Sequence, residues 1–384
     1  MREAIFFLAL ASANSGISMR VIEPMLPRLA TDFGISISAA ATVITAYGLG
    51  GAIGTLAYGP LGDRYGKLRM AAISLFAAGL ASFACALAQD VGSLATLRFV
   101  TAVFASSSMT LGMAYIGDRV PMAERQPVIA RFIGGTIIGQ SIGPLLGGLI
   151  TDLLGWRGAL TFVGTVFAVV STVLFLRTRA QWTDEQRVIS AGSPFTAHLR
   201  LLRSSRVRYV LATAFADTFF FFGAYSFLGP FLKLKFDLSL TLIGAILAGF
   251  GIGGVLYTLT VRPLLRLLGQ RGLVTWGGAI CFACYLVATL TPVWQLTVPA
   301  TIGLGFAFYM LHNTVQTKAT EMAPQARGAA VSSYSGFWSL GQAVGVAAMG
   351  LAIEFIDYTP SIIGFGLGFL LLGLWMRGNL HRLS

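Results

Sequence analysis

Few ionisable side chains stand inside the long apolar runs of this 384-residue chain, and its chemistry should be sought at those few. A charge at the centre of a membrane helix costs roughly 2.5–3.5 kcal/mol on insertion scales, so such residues are functional candidates by default. Arg20 and Glu23 share one run at i, i+3, which puts them on one helix face where they can pair. Two readings stay open for them: Glu23 titrates a proton while Arg20 and Arg98 tune it, or the pair is neutralised structure. Arg98, early in another run, is either a functional residue or one that snorkels to the membrane surface. Asp217 is a lone acid ahead of Thr218 and Phe219 to Phe222, a setting that suits a proton or cation site. His312, Asn313 and Gln316 follow Tyr309 and Met310; the histidine is placed either to titrate or to hydrogen-bond between helices. Gln140, Gln342, Tyr47 and Tyr115 are further polar groups that fit a cavity or plain packing.

These residues need helices around them in lipid. The chain is 55% hydrophobic and 11% charged, with a mean hydropathy of +0.76, and a soluble protein of this size could not bury so much apolar surface. Apolar runs fall near 4–29, 39–61, 69–88, 91–116, 126–150, 157–176, 207–232, 238–261, 272–290, 294–317, 328–352 and 360–376. They are long enough to cross a bilayer as helices, and they lack the alternation of a membrane β-barrel. The expected fold is an all-α membrane protein with twelve transmembrane helices in two pseudo-symmetric six-helix bundles. The basic start and Ala9-Leu10-Ala11 mimic a signal peptide, but the apolar run continues past them, which predicts a retained first span.

With the N-terminus cytoplasmic, 21 of the 27 Lys and Arg fall on the cytoplasmic side and 4 on the other, as orientation requires. The +12 charge is therefore no mark of nucleic-acid binding: it is spread over many short loops. The longest polar stretch separates six runs from six, giving an N-terminal bundle over 1–178, a cytoplasmic linker over 179–206 and a C-terminal bundle over 207–384. The halves repeat. Gly139-Gln140 with Gly143 matches Gly341-Gln342 with Gly345 at an offset of 202, as Arg125 matches Arg327. Pro60 and Gly66 match Pro263 and Gly269, and Pro27 matches Pro230, at 203. Six spans per half keep the two copies in one orientation, the parallel repeat of transporter halves around a midplane site.

Two motifs are specific. The basic stretch Gly59-Pro60-Leu61-Gly62-Asp63-Arg64-Tyr65-Gly66-Lys67-Leu68-Arg69 lies between the second and third runs. In the fifth run, Gly135, Gly139, Gly143 and Gly147 recur every four residues, with Pro144 and Gly148 among them. Such a stripe lets another helix approach closely, and the proline can bend its own helix. The first motif resembles the loop between spans two and three of the major facilitator superfamily. The second resembles the antiporter motif of its twelve-span drug:proton antiporters, and Leu94 with Arg98 resembles the start of that family's span-four motif. Thr101 and Ala102 then stand where glutamine and glycine are typical, and Arg20 stands where many drug antiporters carry an acid.

The resemblance implies a proton-coupled drug exporter of the bacterial cytoplasmic (inner) membrane, with both termini cytoplasmic. It implies that Gly59, Asp63, Arg64 and Gly66 form a latch, Asp63 holding the cytoplasmic ends of the two halves together in one state. A carboxylate at a helix N-terminus gains roughly 0.3–1 kcal/mol, and the eleventh run, from about Gly328, is the expected partner. The glycine stripe is expected either in plain packing or in the moving interface between halves. Proton coupling or cavity roles are expected of Glu23, Arg20, Arg98, Asp217, His312, Asn313, Gln316 and Gln140. A small-molecule substrate and the lipid bilayer are the expected partners of a monomer; no metal, cofactor or nucleic acid is expected, and the proton gradient supplies the energy. No Walker sequence points to ATP and no nucleophile–base constellation points to a hydrolase. Cys281 and Cys284 have redox spacing but read as small residues on one helix face. A sugar or organic-anion transporter on the same fold is the alternative, with Arg20 and Arg98 favouring an anion; a non-transporting receptor fits the paired polar residues poorly.

Overall fold

The computed structural model describes residues 2–182, 194–323 and 327–383. Among these the regular structure is helical throughout: α1 (Arg2–Arg20), α2 (Leu26–Phe33), α3 (Ile37–Ala40), α4 (Thr42–Tyr65), α5 (Lys67–Ala86), α6 (Val91–Ala105), α7 (Ser107–Arg119), α8 (Met122–Thr178), α9 (Pro194–Leu201), α10 (Ser205–Tyr225), α11 (Leu228–Phe236), α12 (Leu240–Leu290), α13 (Thr297–Glu321), α14 (Arg327–Ile356) and α15 (Tyr358–Leu383). Among the described residues, ten helical stretches are long and apolar enough to cross a membrane. Helices suit lipid because they satisfy their own backbone polar groups. Part of the linker, 183–193, lies outside the described residues.

Two stretches, of 58 and 51 residues, are far longer than the roughly 20 residues that span a bilayer. Each contains a glycine with non-helical backbone, Gly155 (φ 74°, ψ 170°) in α8 and Gly269 (φ 61°, ψ 178°) in α12. Positive φ is the conformation glycine adopts without a Cβ clash. Both fall where the sequence separates two apolar runs. Gly66 (φ 94°), the repeat equivalent of Gly269, breaks the chain between α4 and α5 in the same way. The stretch before Gly66 is therefore not the loop the sequence suggests. Gly59, Pro60, Asp63 and Arg64 are the last turns of α4, because Gly66 alone supplies the turn.

Other runs are broken where the sequence reads them as continuous. The first run stops at Arg20, passes through a single 3-10 turn at Glu23–Met25 and restarts as α2. Pro24 and Pro27, which lack an N–H to donate, sit at that restart. The run of α10 likewise breaks at Ser226 and Phe227 before α11, which carries Pro230.

The repeat offset reappears in the packing. A Cβ placed on Gly139 would meet the Ala13 carbonyl at 1.9 Å, and one on Gly341 the Phe215 carbonyl at 2.2 Å. Both partners are also 202 apart. Across the two halves of the chain, Gly48 lies against Ala343 and Gly251 against Ser141, again an equivalent pair. At such contacts glycine is required because backbone or side chain occupies the space of a Cβ.

Candidate functional site

Arg20 ends α1 and Glu23 opens the 3-10 turn after it, so the i, i+3 pair expected on one helix face forms across a helix end. Arg20 Nη1 donates to Glu23 Oε1, and both side chains are buried. The pair does not belong to its own half alone. Ser226 Oγ donates to the same Glu23 oxygen at 3.4 Å. The Arg20 guanidinium lies 3.9 Å from the Phe222 ring centroid, with Tyr225 and Phe250 at 5.5 and 5.8 Å. Glu23 and Ser226 are repeat equivalents, 203 residues apart. They meet where a two-fold axis relating the copies would pass. Glu23 Oε2 and Arg20 Nη2 are buried without partners.

More contacts between the halves gather at this end. Ser36 Oγ donates to Glu354 Oε1 at 3.2 Å. The backbone N–H and the hydroxyl of Thr241 both donate to Asp152, at 2.7 and 2.6 Å. Gly148 and Gly350 are held against Leu240 and Ser38. These contacts close the side of the molecule away from the chain termini.

Arg98 is buried, not snorkelling. Its guanidinium donates to the Ser18 carbonyl at 2.7 Å and to Ser18 Oγ at 3.2 Å, and it stacks over Tyr47 at 4.1 Å. It makes no ion pair among the described residues, and its Nε has no partner. It is tied to the turn of α1 immediately before Arg20, so α6 fixes the helix that carries the ion pair.

In the second half, the Nδ1 of His312 (α13) is 2.6 Å from Asp217 Oδ2 (α10), and Asp217 is fully buried. Tyr334 (α14) meets His312 Nε2 at 3.3 Å. Three helices thus share one acid–imidazole–phenol chain. Asp217 Oδ1 has no partner. Phe308 stacks on the imidazole at 4.7 Å and lies 5.1 Å from Phe222. An unbroken aromatic contact therefore joins the two charged groups. The sequence named Asp217 and His312 separately; it held no signal for their pairing, since 95 residues separate them.

Other candidates fall elsewhere. Asn313 is half-buried and hydrogen-bonds Tyr257. Gln316 is exposed, one turn past His312, and is not part of the enclosed group. Gln140 is half-buried, packed by its backbone and Cγ against Gly16. Of the two readings of the glycine stripe, the geometry fits packing within its own half. Gly135, Gly139, Gly143 and Gly147 face Ala9, Ala13, Ile17 and Val21 of the same half. The contact with the second half comes from the adjacent Ser141, Pro144 and Gly148, against Gly251, Gly244 and Leu240. Four-residue spacing announces a close helix neighbour but cannot say which one. Asp63 differs similarly. It pairs with Lys67 at 2.9 Å, and Lys67 also pairs with Asp118 of α7 at 2.6 Å. In this conformation the acid ties α4, α5 and α7 of its own half, and Arg64 lies over Tyr65 at 5.2 Å.

The family follows from comparison. The Major Facilitator Superfamily model matches residues 8–346. The chain belongs to the Major Facilitator Superfamily. It is a transporter of that superfamily, not an enzyme, and small molecules and the bilayer are its partners. An uncharacterized MFS-type transporter of Bacillus subtilis, YwfA, is 27% identical over 91% of this chain and 87% of its own length. The multidrug export protein EmrB of Escherichia coli is 28% identical, but over only 48% of this chain and 36% of its own length. A bacterial homologue of the human lysosomal transporter Spinster, solved in an inward-facing, unoccupied conformation, superposes with a TM-score of 0.78 at 17% identity. The match covers 99% of this chain and 97% of that one. A POT family transporter in complex with 5-aminolevulinic acid gives 0.78 at 14% identity over 100% and 96%. These two similarities establish a shared fold.

Proposed function

We propose that the protein is a proton-coupled exporter of small amphipathic molecules, working by alternating access. The observation that carries this reading is the Arg20–Glu23 pair, which is built by one half and seated in the aromatic residues of the other. In this reading twelve spans form two bundles, 1–178 and 207–384, joined by the linker 179–206. The two long stretches count twice because Gly155 and Gly269 divide them. Both termini face the cytoplasm of a bacterial inner membrane, so the Glu23 contacts close the outer side. Deprotonated Glu23 holds Arg20 and accepts from Ser226. A proton arriving on Glu23 removes the charge that keeps Arg20 in place and favours outward opening. Proton binding shifts the equilibrium only as far as Glu23 prefers the proton in the open state. Asp217, His312 and Tyr334 offer a second place to hold a proton.

The test is transport in liposomes under an imposed pH gradient across a small panel of amphipathic compounds. Wild-type protein should accumulate substrate against its gradient; Glu23→Gln should retain downhill exchange and lose the pH-driven component. Full pH-driven accumulation by Glu23→Gln would remove Glu23 from the mechanism.

One observation favours a second reading, transport of an organic anion: Arg98 is a buried cation with no acidic partner among the described residues. Thermal stabilisation of the purified protein by organic anions, and not by organic cations, would select this reading.

A further inference from the structure

The two halves differ in charge where their repeated turns reach the side of the chain termini. In the first half the turn at Gly66 carries both signs: Lys67 lies between Asp63 and Asp118. The equivalent turn at Gly269 has only bases. From 238 to 320 the sequence holds no Asp or Glu, and none occurs from 358 to the end; Arg262, Arg266, Arg271, Arg377 and Arg382 fall in these stretches. Beside that turn lies an open groove of about 680 Å³ between α12 and α15, lined by Leu268, Arg271, Gly272, Thr275, Trp276, Leu374, Arg377 and Gly378.

We propose that this groove binds an anionic phospholipid of the leaflet on the terminus side. Arg271 and Arg377 would take the phosphate, and Leu268 and Leu374 the first part of an acyl chain. The groove supplies each part of that chemistry. Two guanidinium groups lie on its walls, and among the described residues neither makes an ion pair. Arginine is the side chain suited to phosphate. The helix that restarts after Gly269 has its first two turns in the groove, and the positive end of its dipole adds to the attraction. Trp276 is 54% exposed and Leu374 44%. An exposed indole beside a cation is the side-chain pattern of the membrane–water boundary. Gly378 has no atom within 4 Å of its Cβ position, so the floor at that point is open to a bulky ligand. Exposed Leu267 and Leu371, at 82% and 56%, lie near the groove in sequence. Basic pockets between membrane helices on the cytoplasmic side bind anionic headgroups by this combination. A soluble anion would use the arginines but gain nothing from Trp276, Leu268 and Leu374.

The proposal also accounts for the acid that the second half lacks. An aspartate at the position of Arg266 or beside Arg271 would repel the headgroup, so the second half keeps the Pro263 and Gly269 geometry and drops the charge. It does not depend on which substrate is carried.

The experiment is lipid retention and quenching in the full-length protein, reconstituted in nanodiscs. Brominated phosphatidylglycerol should quench tryptophan fluorescence more than brominated phosphatidylcholine, and Trp276→Phe should abolish the difference. Arg271→Gln and Arg377→Gln should each lower retained phosphatidylglycerol about fivefold relative to phosphatidylcholine in native mass spectrometry, as removal of one cation beside an anionic headgroup implies. Arg69→Gln, on the mixed-charge turn, should leave retention unchanged. Equal quenching by the two lipids in wild-type protein would overturn the proposal, as would unchanged retention in both arginine variants. Thermal protection by inorganic phosphate equal to that by phosphatidylglycerol would overturn the lipid as the ligand.

Discussion

Two buried charged groups hold the centre of this molecule, and they are wired differently. Arg20–Glu23 is formed by residues three apart in one half, yet it completes its contacts on Ser226, Phe222 and Phe250 of the other. Asp217–His312–Tyr334 joins three helices that all lie in the second half. In the proposed mechanism the first spans the boundary that opens during transport, and the second lies on one side of it. Under that proposal a change of protonation at the first acts on the relative position of the halves. A change at the second acts on the shape of one half. The aromatic contacts from Phe222 through Phe308 to His312 give the two a physical route for coupling.

The largest expected effect comes from breaking the first group. Glu23→Gln leaves the Arg20 charge buried without its partner, which costs about 3–5 kcal/mol. Thermal unfolding should show a clear loss, and the double variant Arg20→Gln with Glu23→Gln should recover part of it. A double variant no better than the single one would mean that Arg20 is held by the aromatic rings and not by Glu23. Next in size is Asp217→Asn. It keeps a hydrogen bond to His312 and removes its charge, with an expected loss of about 1.5–3 kcal/mol. Spin labels placed across the closure away from the chain termini, at Ser36 and Glu354, should shift their distance distribution in Glu23→Gln and not in Asp217→Asn. The same shift in both variants would erase the distinction between the groups.

The repeat offers a further test of the same kind. Gly139→Ala and Gly341→Ala each drive a Cβ into a neighbouring carbonyl and should cost about 1–3 kcal/mol apiece. Gly59→Ala meets nothing within 4 Å, and in a helix it should be neutral or slightly stabilising. Differential scanning fluorimetry would rank the three, and a tolerated Gly139→Ala would break the packing argument.

The smallest effect is outside the membrane. His198 in α9 sits 2.8 Å from Ser333 Oγ at the start of α14. Burial pushes its imidazole below the usual histidine range, against a backbone hydrogen bond at Ala329 that raises it. The docked state therefore prefers the neutral ring. Docking should be complete above the ordinary histidine pKa of about 6.5 and weaken as pH falls through the lowered value. Hydrogen exchange of α9 should rise in acid, and His198→Gln should flatten that pH dependence. A rise of equal size in His198→Gln would exclude the ring as its cause.

Much of the fold was legible in the chain because lipid imposes a simple rule. A long apolar run must be a helix, and the charges between runs orient it. The repeat was legible too: Gly139 and Gly341 recur at one offset and make equivalent contacts. Sequence fell short at the breaks. Pro24 and Pro27 could have signalled that the first run stops near Arg20, and Gly66 that Asp63 ends a helix instead of sitting in a loop.

By itself the sequence determined that Arg20 and Glu23 can pair, since i, i+3 geometry is local. It also determined that the glycines of α8 need a close neighbour. Only the tertiary structure decided the rest: that Asp217 meets His312 across 95 residues, that the stripe seats α1, that Lys67 reaches Asp118, and that Glu23 reaches its own repeat partner Ser226. The physical reason is one of range. Backbone periodicity is set within a few turns, whereas the partner of a buried charge is set by which helices the close-packed glycines bring together.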